Sequence, residues 1–154
     1  MRKYLILSAF LSLALPSFGC CDDTVVQSFF SEIDGKMFEF EIEESHIDDA
    51  PKWLDENPCP PVSPKRAITV SEAGLKLYAS RGIIRESRAD MEWKLMRLTL
   101  NPVWGGWYWV AEYSQFPKTG GSTGISAEAS VVVLMNGKVL IPKPESRSDL
   151  PSKQ

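Results

Sequence analysis

One histidine and three cysteines are all that this 154-residue chain offers of the side chains that most often ligate zinc. Zinc sites take three or four Cys and His ligands at set spacings, and His46, Cys20, Cys21 and Cys59 form no such set. The same scarcity bears on catalysis. A nucleophile, base and orienting group built on His46 would need a partner, and no motif supplies one beyond a conceivable pairing with Cys59. Asp48, Asp49, Asp55 and Glu56 are oxygen donors of the kind Ca2+ prefers, but the ordered Asp-x-Asp-x-Asp-Gly loop is absent. Basic residues are scattered, with no stripe interleaved with aromatics, which argues against nucleic acid as a partner. Beyond residue 19 no stretch approaches the ~20 apolar residues of a membrane span. Lys118-Thr119-Gly120-Gly121-Ser122-Thr123-Gly124 is glycine-rich, yet it lacks the closing Gly-Lys-Ser/Thr of a phosphate loop and lies between strand-like runs. It reads as a long hairpin loop, or as a loop that orders on a partner. No cofactor is implied.

What is present begins with an export signal. Arg2 and Lys3 precede an apolar run from Tyr4 to Leu15, Pro16 breaks it, and Ser17 and Gly19 put small residues three before and one before a cut. That is the order of a secretory signal peptide over residues 1–19. Gly19-Cys20 also resembles the end of a lipoprotein signal, with Ser17 a looser match, so a lipid anchor on Cys20 is the alternative. In an oxidising compartment Cys59 is expected to pair with Cys21, or in second place with Cys20. The odd cysteine count pulls toward the anchor, because lipid on Cys20 lets Cys21 and Cys59 pair with no thiol left over, whereas a free Cys20 leaves one.

Without Arg2 and Lys3, fifteen basic residues face twenty acidic ones, a net charge of −5. The imbalance is local. Residues 22–56 carry twelve acids against Lys36 and Lys52, and residues 57–154 carry eight acids against thirteen bases. Either the acidic segment lies over the basic remainder, or it forms an acidic surface for cations or a basic partner.

The periodicity predicts an α+β domain over residues 20–145, with residues 146–154 a disordered tail. Residues 25–44 read as a β-hairpin around Asp34-Gly35, a pair favoured by the type I′ turn, whose central residues both need positive φ. Phe29 then faces Phe40 and Ser31 faces Phe38. Phe38, Phe40 and Ile42 share a buried face, with Glu39, Glu41 and Glu43 on the wet one. A Pro-rich connector follows to Val62, anchored by Ile47, Trp53 and Leu54. Ser63-Pro64 opens a helix to about Ser80, with Ser as N-cap and Pro at the first helical position. Its apolar stripe is Ala67, Ile68, Ser71, Leu75 and Tyr78; Gly74 suggests close packing on a strand, and Arg81-Gly82 is the stop. An antiparallel meander over 92–100, 107–116 and 125–135 completes the pattern. Met96, Leu98 and Leu100 share one face, Asn136-Gly137 forms a type I′ turn, and 138–141 returns as a short fourth strand. The chain after Pro142 is polar and expected to be disordered. The architecture is one amphipathic helix on a meander, preceded by an acidic hairpin.

The aromatic residues are the most unusual feature. Trp104, Trp107, Tyr108, Trp109 and Tyr113 fall within ten positions, after Trp93. Trp107, Trp109 and Tyr113 share one face of a strand and Tyr108 and Val110 the other. They are core, or together with Gly120 and Gly121 they form a recognition surface.

The span Ser63 to Ile141 resembles PepSY-like domains of secreted and periplasmic bacterial proteins. The residues concerned are Pro64-Lys65-Arg66-Ala67-Ile68, the strand Trp93-Lys94-Leu95 to Leu100, Trp107-Tyr108-Trp109-Val110, and Val132 to Leu140 with its Asn136-Gly137-Lys138 turn. It covers about half of the chain; the acidic hairpin and the long aromatic run depart from it. The resemblance implies a helix followed by an antiparallel meander and an association with peptidase binding, and it brings no catalytic residues. The expected function is an exported, non-enzymatic binding or accessory module of the bacterial envelope, with a protein or peptide as partner. Contact with a membrane is expected only if Cys20 is lipidated. The alternatives are a small hydrolase using Cys59 and His46, and a structural, self-associating envelope protein.

Overall fold

Alternating apolar and polar residues dominate the chain on either side of one helical segment, and the backbone follows that pattern. The computed structural model describes residues 23–54, 56–85, 87–119 and 127–145. Their elements are β1 (Val25–Ile33), β2 (Lys36–Glu43), α1 (Glu44–Asp48), α2 (Pro64–Ser80), β3 (Met91–Val103), β4 (Gly106–Pro117), β5 (Glu128–Leu134) and β6 (Lys143–Pro144). The fold is α+β, with two antiparallel three-stranded sheets ordered β1-β2-β6 and β3-β4-β5. The proposed signal peptide, Cys20, Cys21, Gly120, Gly121 and the tail from 146 lie outside the described residues.

The first hairpin has the expected register: Phe29 is opposite Phe40 and Ser31 opposite Phe38. Asp34 and Gly35 both take positive φ, at 49° and 76°, as a type I′ turn requires. Phe38, Phe40 and Ile42 are buried, and Ile33 closes the turn end of the same core. The turn is tied to the second sheet, where the Asp34 N–H donates to the Glu128 carbonyl at 2.9 Å.

Helix α2 starts where Ser63 accepts a hydrogen bond from the Arg66 N–H and Pro64 occupies the first turn. It ends in a Schellman arrangement. Gly82 takes a φ of 69° and donates to Ala79, while Ile83 donates to Tyr78. Its buried stripe is Ala67, Ser71, Gly74, Leu75 and Tyr78, with Ile68 half-buried. The stripe lies on β4 and β5. A Cβ at Gly74 would stand 2.7 Å from Val131 Cγ1 and 3.2 Å from Val139, so the helix reaches this height only because that residue is glycine. Polar groups in the interface are satisfied. The Ser71 and Tyr113 hydroxyls are 2.6 Å apart, the Tyr78 hydroxyl donates to the Leu140 carbonyl at 2.6 Å, and Trp109 Nε1 donates to the Val62 carbonyl at 2.9 Å.

Several expectations are corrected. Met96 does not share a face with Leu98 and Leu100; it is the extra residue of a β-bulge between Leu95 and Arg97 and is exposed. The bulge shifts the phase, so the inward face reads Met91, Trp93, Leu95, Leu98, Leu100. Asn136-Gly137 does not form a type I′ turn, because of the pair only Gly137 has positive φ, at 80°. Leu134 accepts from Gly137 and donates to Lys138, which leaves a three-residue loop. The returning segment 138–141 makes an isolated bridge, Val139 to Val133, rather than a strand. Beyond Pro142 the chain pairs again: Lys143 and Pro144 lie opposite Glu39 and Phe38 of β2, and the Glu145 N–H donates to the Met37 carbonyl at 3.2 Å. Glu44, expected to end the hairpin, and the first residues of the connector form the short α1 (Glu44–Asp48); Ile47 is buried as anticipated, whereas Leu54 is exposed.

Candidate functional site

The register of β4 divides the aromatic run. Trp109, Ala111 and Tyr113 point beneath α2 and are buried, so these two aromatics belong to the core rather than to a surface. Tyr108 is also buried but on the opposite face, where Phe29 stacks on it at 5.9 Å between ring centroids and the Gln27 amide donates to its hydroxyl. Burial raises the phenol pKa of Tyr108 and of Tyr113 above the ordinary value. Trp107 is half-buried and meets Trp53 edge to face, with centroids 5.4 Å apart. Trp53 is held by its own Nε1–H, which donates to the Asn57 carbonyl at 2.8 Å.

Trp104 differs from all of these. It sits in the two-residue turn between β3 and β4, next to Gly105 at φ 79°, and is 86% exposed. The turn does not hang free. Ile47 of α1 lies under it, 3.5 Å and 3.1 Å from where Cβ atoms would stand on Gly105 and Gly106. An indole is therefore held in solvent on a supported hairpin, and Trp53 and Trp107 brace the base of the same strand. Large exposed aromatics on rigid supports bind at low entropic cost.

Nδ1 of His46 accepts the Glu43 backbone N–H at 3.0 Å, which caps α1. Nε2 of the same ring is 3.9 Å from the Glu43 carboxylate. Cys59 is exposed and forms no disulfide among the described residues. Among the described residues no three His, Cys, Asp or Glu side chains converge as a metal site would require, and no helix is long and apolar enough to cross a membrane. A shallow groove of about 350 Å3 runs between β1 and the open face of β3 and β4, lined by Phe29, Phe30, Thr99, Asn101 and Val110 and crossed by the Arg97–Glu112 ion pair. The exposure of Trp104 had a sequence signal: it precedes Gly105-Gly106 at the centre of two pairing strands, where a turn falls.

Comparison of the chain with protein-family models, with curated proteins and with solved structures finds no match.

Proposed function

We propose that the chain is an exported, non-enzymatic binding or accessory module of the bacterial envelope, and that Trp104 is the centre of its recognition surface. The single observation behind this reading is the exposed indole on a braced hairpin. A helix on a meander with an N-terminal hairpin is the scaffold, and the PepSY-like resemblance suggests a peptide or a peptidase as the partner. Export rests on the signal read in residues 1–19, with a Cys21–Cys59 bridge and Cys20 either free or carrying lipid.

The test is selection from a random linear-peptide library on the purified exported protein. Selection should enrich a sequence family, and Trp104→Ala should weaken its binding at least about tenfold, as loss of a hot-spot aromatic does. The same variant should keep its urea midpoint, since the side chain is in solvent. Trp109→Ala should instead lose about 3–5 kcal/mol of stability. Peptides that bind Trp104→Ala as well as wild type, or no enrichment at all, would remove the proposal.

A further inference from the structure

Burying Phe38, Phe40 and Ile42 turns the alternate residues of β2 outward, and the register sets Ser28, Phe30 and Glu32 of β1 beside them. Phe30 is 53% exposed and Met37 41%. On an antiparallel ladder these two are diagonal neighbours on one face, so the face has an apolar centre. Glu32 and Glu39 adjoin that centre, and neither has an ion-pair partner among the described residues. Glu41 and Glu43 continue the row. At the turn end, where β6 meets β2, there is a concavity of about 510 Å3 lined by Glu32, Lys36, Met37, Phe38, Pro144 and Glu145, two carboxylates against one ammonium.

We infer that this outer face of the β1–β2 hairpin docks an extended, lysine- or arginine-bearing segment of another polypeptide. The partner's apolar residue would lie on Phe30 and Met37 while its cationic side chains reach the glutamates on either side. The chain already displays this chemistry once. β6 lies along β2 with Pro144 opposite Phe38, and its Lys143 ammonium pairs with Glu41. The hydrogen bond from Lys143 to Glu41, with Glu43 and Glu39 behind it, raises the lysine pKa above its ordinary value. The surface shares no residue with the Trp104 corner and stands apart from the reading given for it.

The probe is a short labelled peptide that alternates lysine and serine around one leucine, with glutamate in place of lysine as its control. Each is titrated against the full chain by fluorescence anisotropy. The lysine peptide should bind saturably and the glutamate peptide should not. Binding should fall at least about tenfold in about 0.5 M salt, where screening acts within a few ångströms. Glu32→Gln combined with Glu39→Gln should weaken it by about tenfold with no change in urea midpoint, because neither carboxylate holds the fold together. Phe30→Ser should weaken it while the salt dependence persists, and Trp104→Ala should have no effect. Equal affinity in the double glutamine variant overturns the inference. So does displacement of the peptide by about 1 mM Ca2+ but not by the same ionic strength of NaCl, which would mark a divalent-cation site instead.

Discussion

Gly74→Ala should destabilise the domain, against the ordinary expectation for a helix interior. Alanine in place of glycine normally gains ~1 kcal/mol from the restricted unfolded chain and better helix propensity. Here the new methyl would sit 2.7 Å from Val131 Cγ1, about 0.7 Å short of the 3.4 Å at which ordinary contact begins. Val131 is fully buried, and a β-branched side chain has little rotamer freedom with which to yield. The helix cannot lift away easily either. Ser71 lies one turn before Gly74 and Tyr78 one turn after, and both are hydrogen-bonded across the interface at 2.6 Å. Overpacking costs ~1–3 kcal/mol, and this site belongs at the upper end, which leaves a net loss of about 2 kcal/mol. Urea unfolding followed by circular dichroism measures it, with an unchanged slope as evidence that the same surface is exposed. In the Gly74→Ala background, Val131→Ala should cost at least about 1 kcal/mol less than it does in the wild type, because it removes the collision. A raised midpoint for Gly74→Ala alone would refute the close contact and, with it, the seating of α2 on β5.

Two further outcomes follow from the core. Phe40→Ala should cost about 3–5 kcal/mol in urea unfolding, since Phe40 is fully buried and stacked on Phe29 at 5.1 Å. Glu41→Ala, which gives up only an exposed ion pair, should leave the midpoint near wild type, and equal effects of the two would show that the hairpin stands outside the core. Burial raises the phenol pKa of Tyr78, Tyr108 and Tyr113 above the ordinary value near 10. As pH climbs through about 10 the unfolded chain therefore releases these protons before the folded one does. The folded state then holds more protons, so stability should be insensitive to these groups at neutral pH and fall above about pH 10. A urea midpoint that stays level to about pH 11 would contradict this.

Features set by neighbouring residues were legible in the sequence. Asp34-Gly35 fixed the hairpin register because the pair can take positive φ on both residues, and Ser63-Pro64 with Arg81-Gly82 bounded α2 within a residue. Gly74 signalled a close approach that the structure locates at Val131 and Val139. Features that depend on distant partners were not legible. An extra residue at Met96 looks like ordinary alternation until the pairing of Leu95 with Tyr113 and Arg97 with Glu112 shows it unpaired. The start of α1 was hidden because Glu43 is both the last residue of β2 and the N-cap of the helix. Lys143 and Pro144 carry no strand signal of their own and are ordered only by the exposed edge of β2. In the aromatic run, alternation separated the two faces of β4. It could not show that α2 would cover Trp109 and Tyr113 and leave Trp104 in solvent.

β3 stands at the rim of its sheet, thirteen residues long, with no strand along its outer side among the described residues. A flat strand of that length would invite a second chain to add on and then a third, the first steps of fibrous aggregation. Two features of β3 work against this. Pro102 lacks an N–H to offer, and the Met96 bulge bends the strand out of the plane a partner would need. The residue that spoiled the simple alternation therefore guards against misassembly. Deleting it would restore a regular ladder and leave an edge on which further copies could stack.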